Sequence, residues 1–426
     1  MTTTTPTPTA DATAPLRLIA LALLPFGAGY FLSYLFRAVN AVVAPELVSE
    51  LGLSAAALGL MTSAYLASFA LFQLPLGILL DRYGPRRVQA ILVAIGGAGA
   101  LLFGIGNDAA TLVAARAIIG LGFAGGLMAG FKAVVIWVAP ERRALANALV
   151  MSAGAIGLIV STTPTQWAVG EIGWRAVFLA LAGITFVVAA LIWTVVPERK
   201  GIAPEPAPLG KQISQLGRIM TDRMFLAIAP LLSLTAGTQI AIQTLWAGPW
   251  MRDVAGLDPD GVAGMLAFAA WAFLFGVLAS GAIADRLQAM GVSLLTTMGA
   301  FIVVFIAAQV AIILEWTDYN LPVWFVFGMS GQVAVLAYPW LSQHFGTELA
   351  GRSNAAVNLA LFATAFVLQY AIGLVIDAFP QTEAGGYATE GYQTAFGICL
   401  ALQVAALAWF ALNLPRIRAA ERSFNA

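Results

Sequence analysis

Cysteine and histidine are almost absent, with Cys399 and His344 standing alone in 426 residues. One thiol cannot close an internal disulfide, and one imidazole with one thiol cannot build a Cys/His zinc centre. Charge is scarce too, at 10% of residues, against about 25% in an ordinary soluble domain. Lys and Arg total 21 and Asp and Glu total 21, so no net positive charge is available to meet a phosphate backbone, and nucleic acid is excluded as a partner. The first fifteen residues, MTTTTPTPTADATAP, hold neither a basic cluster nor a small-residue cleavage site. They lack the features of a secretory signal and are expected to form a short disordered tail. No Walker-type Gly-rich phosphate loop is present, so direct coupling to ATP is unsupported. Nor can a nucleophile, base and metal set be drawn that would mark an enzyme. No cofactor and no metal is implied.

What the chain has in excess is apolar length: 60% of its residues are hydrophobic. A water-soluble globule cannot hide that much apolar surface, whereas a membrane helix uses about 20 such residues for each crossing. Long apolar runs predict six spans at 17–43, 55–79, 88–106, 110–138, 145–168 and 174–196, and six more at 224–248, 261–283, 290–314, 321–343, 354–378 and 392–413. The expected fold is therefore an all-α membrane protein of twelve transmembrane helices. Residues 1–16 form a tail, 17–196 an N-terminal six-helix half, and 197–222 a Pro-rich, charged linker. A C-terminal six-helix half follows over 223–414, then a tail over 415–426.

Basic residues sort sharply on this layout. From Arg17 to Arg422, sixteen of the 21 Lys and Arg fall on one side, only Arg175 and Arg252 on the other, and Arg37, Arg116 and Lys132 within spans. The positive-inside rule then puts both termini in the cytoplasm and the protein in the cytoplasmic (inner) membrane as a multi-pass chain. The halves also echo each other. Gly77-Ile-Leu-Leu-Asp81-Arg82-Tyr-Gly84-Pro-Arg86-Arg87 follows span 2, and a shortened Gly281-Ala-Ile-Ala-Asp285-Arg286 follows span 8, which reads as a two-fold pseudo-repeat.

That loop between spans 2 and 3 resembles the signature of the major facilitator superfamily. The degenerate second copy, the Arg116-x-x-x-Gly120-x-Gly122 run in span 4 and Pro197-Glu198-Arg199 closing span 6 agree with it. The resemblance implies alternating access, in which two halves rock about a substrate near the midplane. It also implies a gate on the cytoplasmic side, built from Gly77, Asp81, Arg82, Gly84 and Arg86 with Asp285 and Arg286 of the second copy. There Asp81, at a helix end, would pair with nearby arginines and lock the halves. The segment Tyr34-x-x-Arg37-x-x-Asn40 is similar to the first-span pattern of the anion:cation symporters and the organophosphate antiporters. An ionisable residue inside a span is by default functional. Arg37 shares a helical face with Tyr30 and Tyr34, and no acid lies mid-span to neutralise it.

These observations predict a small-molecule anion as substrate, anchored by Arg37 with Tyr30, Tyr34 and Asn40 around it. Organophosphate antiporters bring a second arginine from span 7, whereas this chain offers Gln239, Gln243 and Trp246 on one expected stripe. A carboxylate therefore fits better than a phosphate ester. Lys132 is either a second cation or a residue reaching to the cytoplasmic surface. Gln166, beyond a bend expected at Ser161-Thr162-Thr163-Pro164, and Gln332, Tyr338, Asn358 and Gln369 are further candidates for the cavity wall. Arg116, His344 and Asp377 are candidates for coupling, although a histidine at the inner end of span 10 is more commonly a solvated or capping residue. Symport with protons and movement without them both remain open. So do rival roles: an exporter of drugs or metabolites, for which a lipophilic cation would call for a mid-span acid, and a non-transporting receptor, which would be expected to have lost its gate motifs. Lipid and the substrate are the expected partners, and a monomer the expected state.

Overall fold

The computed structural model describes residues 16–139, 142–197, 209–331, 336–346, 349–382 and 385–424, and among these the chain is helical apart from short connections and one isolated bridge between Gln381 and Tyr387. Helices α1 (Leu16–Ala38) and α2 (Asn40–Leu51) run on from each other across Val39, and Gly52 ends α2 in the left-handed region. Next come α3 (Ala55–Ile105), α4 (Ala109–Phe123), α5 (Gly126–Trp137), α6 (Arg143–Val160) and α7 (Thr163–Val195). Helix α8 (Leu209–Met220) leads into α9 (Arg223–Ala241), a π-helical turn (Ile242–Trp246) and α10 (Ala247–Asp253). The chain continues through α11 (Pro259–Ala289), α12 (Leu294–Ile313), α13 (Asn320–Ser330), α14 (Ala337–Phe345), α15 (Ala350–Asp377) and α16 (Thr389–Phe424).

The polar breaks do what short oxygen-bearing side chains do at helix starts, accepting from orphan amides of the first turn. Ser54 accepts from Ala57 N, Asp108 from Thr111 N, Asp222 from Met224 N, Asp258 from Gly261 N and Ser293 from Thr296 N. Among the described residues, nine helical stretches are long and apolar enough to cross a membrane.

Spans 2 and 3 are the two helices of α3, which meet at a sharp turn where Gly84 (φ 78°) leaves helical geometry ahead of Pro85, within the loop that the sequence places between them. A side chain there would be strained, since positive φ is cheap only for glycine. Two expectations about elements, those for the linker and the C-terminal tail, need correction. Within the linker, 209–220 is helical, because Leu216, Ile219 and Met220 recur at helical spacing and pack on the core. The C-terminal tail is helical as well: α16 runs past Pro415, and Ile417 is fully buried. The bend expected after span 5 is present as the Ser161–Thr162 turn, where Ser161 Oγ, Thr162 Oγ1 and Thr165 Oγ1 donate to the carbonyls of Leu158, Ile159 and Val160.

Helices of 16–195 pack mainly on one another, as do those of 223–424. The two groups meet tightly at the end remote from the Asp81 loop. There the Asp377 carboxylate, at the end of α15, accepts from the amides of Ala55 and Ala56 at 2.8 Å each, capping α3 of the other group. Gly373 lets α15 lie against the backbone of Ala55 and Ala56, where a Cβ would collide. Beside this seam Gly248 abuts the carbonyl of Ala41, and Thr163 Oγ1 donates to Ala263 O at 3.3 Å. Nearby, Glu50 accepts from Trp174 Nε1 at 2.7 Å and pairs with Arg175. Those two donors hold its carboxyl below the usual range.

Candidate functional site

Between the groups lies a cavity of about 360 Å³. Helix α1 contributes Tyr30, Tyr34 and Arg37 to its wall at the spacing of one helical face, as the sequence predicts. The Arg37 guanidinium lies 4.5 Å from the ring centre of Tyr34, 5.2 Å from Phe69 of α3 and 5.1 Å from Phe362 of α15. Cation–π attraction from three rings, two of one group and one of the other, holds the guanidinium in place. The residue is only 7% exposed and its Nε has no hydrogen-bond partner. Among the described residues no carboxylate is paired with it.

From the other group, Gln239 and Gln243 face the cavity with Tyr338 and Asn358. Gln239 Nε2 reaches Gln243 Oε1 at 3.3 Å, and the Tyr338 hydroxyl donates to Asn358 Oδ1 at 2.5 Å. The Gln243 Nε2 amide is buried and unpartnered. Several wall residues were not anticipated: Gln73, Asn354 and Thr244 among the polar ones, and Phe69, Phe273 and Phe362 among the rings. A phenylalanine inside an apolar span carries no sign of which face it takes. Only the crossing of helices reveals it.

Other predicted residues stand elsewhere. Trp246 is fully buried and its indole donates to the Gln369 carbonyl at 3.0 Å. The π-helical turn over Ile242–Trp246 widens the helix and breaks the stripe that regular spacing would make with Gln239 and Gln243. Gln369 Nε2 donates to Thr244 Oγ1 at 3.2 Å behind the wall, and Asn40 Nδ2 donates to Thr62 Oγ1 at 2.9 Å between α2 and α3. Gln166 is half-buried outside the cavity. Lys132 is not a second cation of the cavity: its Nζ bonds Asp81 Oδ1 at 2.5 Å and the Leu80 carbonyl at 2.8 Å. Gln332 lies outside the described residues.

Comparison with known proteins accounts for this architecture. A family profile described as Major Facilitator Superfamily matches residues 26–369. The chain belongs to this superfamily. It is 24% identical to a probable sulfoacetate transporter of Cupriavidus necator, over 68% of this chain and 70% of that one. It is 28% identical to a probable galactarate/D-glucarate transporter of Bacillus subtilis, over 38% and 37%. Among solved structures it resembles a bacterial homologue of the human lysosomal transporter Spinster, in an inward-facing and unoccupied conformation, with a TM-score of 0.72, 16% identity, and coverage of 96% of this chain and 98% of that one. The protein is thus a multi-pass facilitator with the major facilitator fold, and its superfamily is one of transporters rather than enzymes.

In this facilitator the signature loop is engaged within its own helix group. Asp81 pairs with Lys132 of α5 rather than with an arginine of the loop, and Arg86 donates to the Trp193 carbonyl of α7 through Nε (2.8 Å) and Nη2 (2.5 Å). Arg82 lies over the Tyr83 ring at 5.3 Å, and Gly77 has open space beside its Cα. Asp285 and Arg286 of the second copy are exposed. Arg116, fully buried, donates through Nη1 to the Phe36 carbonyl at 2.6 Å, one residue before Arg37, and lies 5.2 Å from the Tyr65 ring. It braces the end of α1 rather than lining the cavity. His344 Nε2 lies 3.3 Å from Asp222, the cap of α9, and its ring stacks on Trp340.

Proposed function

We propose that this facilitator is a secondary transporter of a small organic anion, a carboxylate rather than a phosphate ester, moving it across the cytoplasmic membrane by alternating access. One observation carries the reading: Arg37, buried in the wall of a cavity between the helix groups, with an unpartnered Nε and no carboxylate to neutralise it among the described residues. A buried cation is costly unless a counter-charge joins it, and a substrate carboxylate supplies that charge through the guanidinium fork. A dianionic phosphate would want a second cation. Lys132 is engaged at the Asp81 loop instead, and the seventh span brings amides. The two relatives are named for sulfoacetate and for galactarate and D-glucarate, which supports an anion.

In this reading the two helix groups are the six-helix halves that rock, and both termini and the Asp81 loop are cytoplasmic. The Asp377 seam is then the outer seal, and the structure stands in the inward-facing half of the cycle. The test is uptake into proteoliposomes at fixed voltage, comparing sugars, amino acids, carboxylates and phosphate esters. Carboxylates should be taken up in preference, and Arg37→Gln should abolish most of that uptake while the protein still folds. Uptake at the wild-type rate by Arg37→Gln would overturn the anion anchor.

Coupling has two readings, because no acid lines the cavity among the described residues. Either a proton rides on the substrate's own acid group or on an edge residue such as Glu46 or Asp377, or the transporter exchanges one anion for another. Uptake driven by an inward pH gradient favours the first. Uptake that survives collapse of the gradients but requires internal counter-substrate favours the second.

A further inference from the structure

Resting on that reading, we infer that the anion this site takes has an apolar body, a ring or a hydrocarbon chain on one acid group, and is not a polyhydroxylated acid. Among the described residues the cavity has one charged side chain, Arg37, and the groups next to its guanidinium are the rings of Tyr34, Phe69 and Phe362. Phe69 and Phe362 lie 4.5 Å apart, centre to centre, on either side of the junction between the helix groups. Tyr34 lies 6.2 Å from Phe273 on the third side. Met128 and Met151 complete the wall with polarizable side chains that adapt to an apolar guest.

The polar groups point the same way. Among the described residues, the two buried wall atoms that lack a partner, Arg37 Nε and Gln243 Nε2, are both donors, from opposite helix groups. Two donors suit one acid group, which only accepts. A polyol needs acceptors as well, along its whole length. Here two of the wall's amide acceptors are already engaged, Asn358 Oδ1 by the Tyr338 hydroxyl and Gln243 Oε1 by Gln239 Nε2. Each hydroxyl placed against the rings would lose its water without replacement, at a cost of about one unmade hydrogen bond. The apolar body, by contrast, gains in proportion to the area it removes from water.

The experiment is calorimetric titration of the full-length protein in lipid nanodiscs. The probes are monocarboxylates with apolar bodies of graded size (benzoate, phenylacetate, hexanoate), the polyhydroxylated D-gluconate, and neutral benzyl alcohol. At least one apolar monocarboxylate should bind tenfold or more tightly than D-gluconate, and Phe69→Asn with Phe362→Asn should narrow that ratio. D-gluconate binding as tightly as the best apolar acid in the wild type overturns this inference and leaves the anion anchor standing. Benzyl alcohol binding as tightly as the acids, or acid binding unchanged in Arg37→Gln, overturns the anchor and the inference together. Failure of every apolar acid to bind overturns the inference as well. The wild-type comparison does not depend on any variant folding.

Discussion

At the scale of single residues, Arg37 is held as much by rings as by charge, and this sets what a conservative substitution should do. Arg37→Lys keeps the positive charge but loses the planar, delocalised cation set among Tyr34, Phe69 and Phe362 and the fork that, in the proposed reading, grips an acid group. Substrate affinity is expected to fall by tenfold or more, the worth of about one charge-assisted hydrogen bond, with the thermal midpoint in detergent nearly unchanged. Titration of the variant with the best carboxylate substrate checks this. A second residue-scale expectation concerns Asp81 and Lys132, whose side chains are 50% and 29% exposed. At that exposure a pair contributes about 0.2–1 kcal/mol. Asp81→Asn and Lys132→Met should therefore each shift stability slightly, and the double variant should be less than additive by that amount in a thermal-melt cycle. Simple addition would mean that the contact does not couple the two. Arg37 with Tyr30 and Tyr34 was readable from spacing on one helix, because a charge inside an apolar run stands out and 3.6-residue periodicity assigns its face. Lys132 was not, since reach along a five-atom side chain decides whether it meets the cavity or the loop.

Among the elements, the end of α15 against the start of α3 has the most to test. Asp377 sets a negative charge on the positive end of a helix in the other group, an interaction worth about 0.3–1 kcal/mol. Asp377→Asn keeps an acceptor and loses the charge. The population open at that end should rise about two- to fivefold, read as distances between spin labels at Ser49 and Thr382, and an unaltered distribution would show that the cap does not bias the cycle. The clasp between α2 and α7 should respond to pH. Glu50 is held below the usual carboxylate range by Trp174 and Arg175, so its contribution is present above the ordinary glutamate pKa and is lost as pH falls through the depressed one. Acidification below about pH 4 should lower the melting temperature less in Glu50→Gln than in the wild type. Helix existence was legible from apolar runs, and the polar breaks between them hold the caps Ser54, Asp108 and Asp222 that the structure shows. Interruptions inside a run were less so. The π-helical turn at Ile242–Trp246 leaves no composition signal, and it separated Trp246 from the Gln239 and Gln243 face. The stripe of α8 was hidden by the Pro-rich, charged stretch in which it lies.

For the molecule as a whole, in the proposed cycle the seam between the helix groups decides which side of the membrane the cavity shares. Its members are far apart in sequence, as Ala55 and Asp377 are, so no local pattern could place them together. The burial of Arg37 then has an electrical meaning. When the cavity communicates with one compartment, its contents sit near the potential of that compartment, so changing sides carries the charge of the site through the membrane field. Empty, the site bears the positive charge of Arg37, the one charged side chain of the wall among the described residues. Loaded with a monoanion, it is neutral. One elementary charge is worth about 2.3 kcal/mol per 100 mV, so an inside-negative voltage should draw the empty protein toward the inward-facing state and leave the loaded protein indifferent. The check is to impose a potassium diffusion potential on labelled proteoliposomes with and without saturating substrate. Label distances should follow the voltage only when substrate is absent, and in Arg37→Gln they should follow it in neither case. The membrane potential would then act on the return of the empty carrier, setting the pace of uptake without contributing to the substrate's crossing.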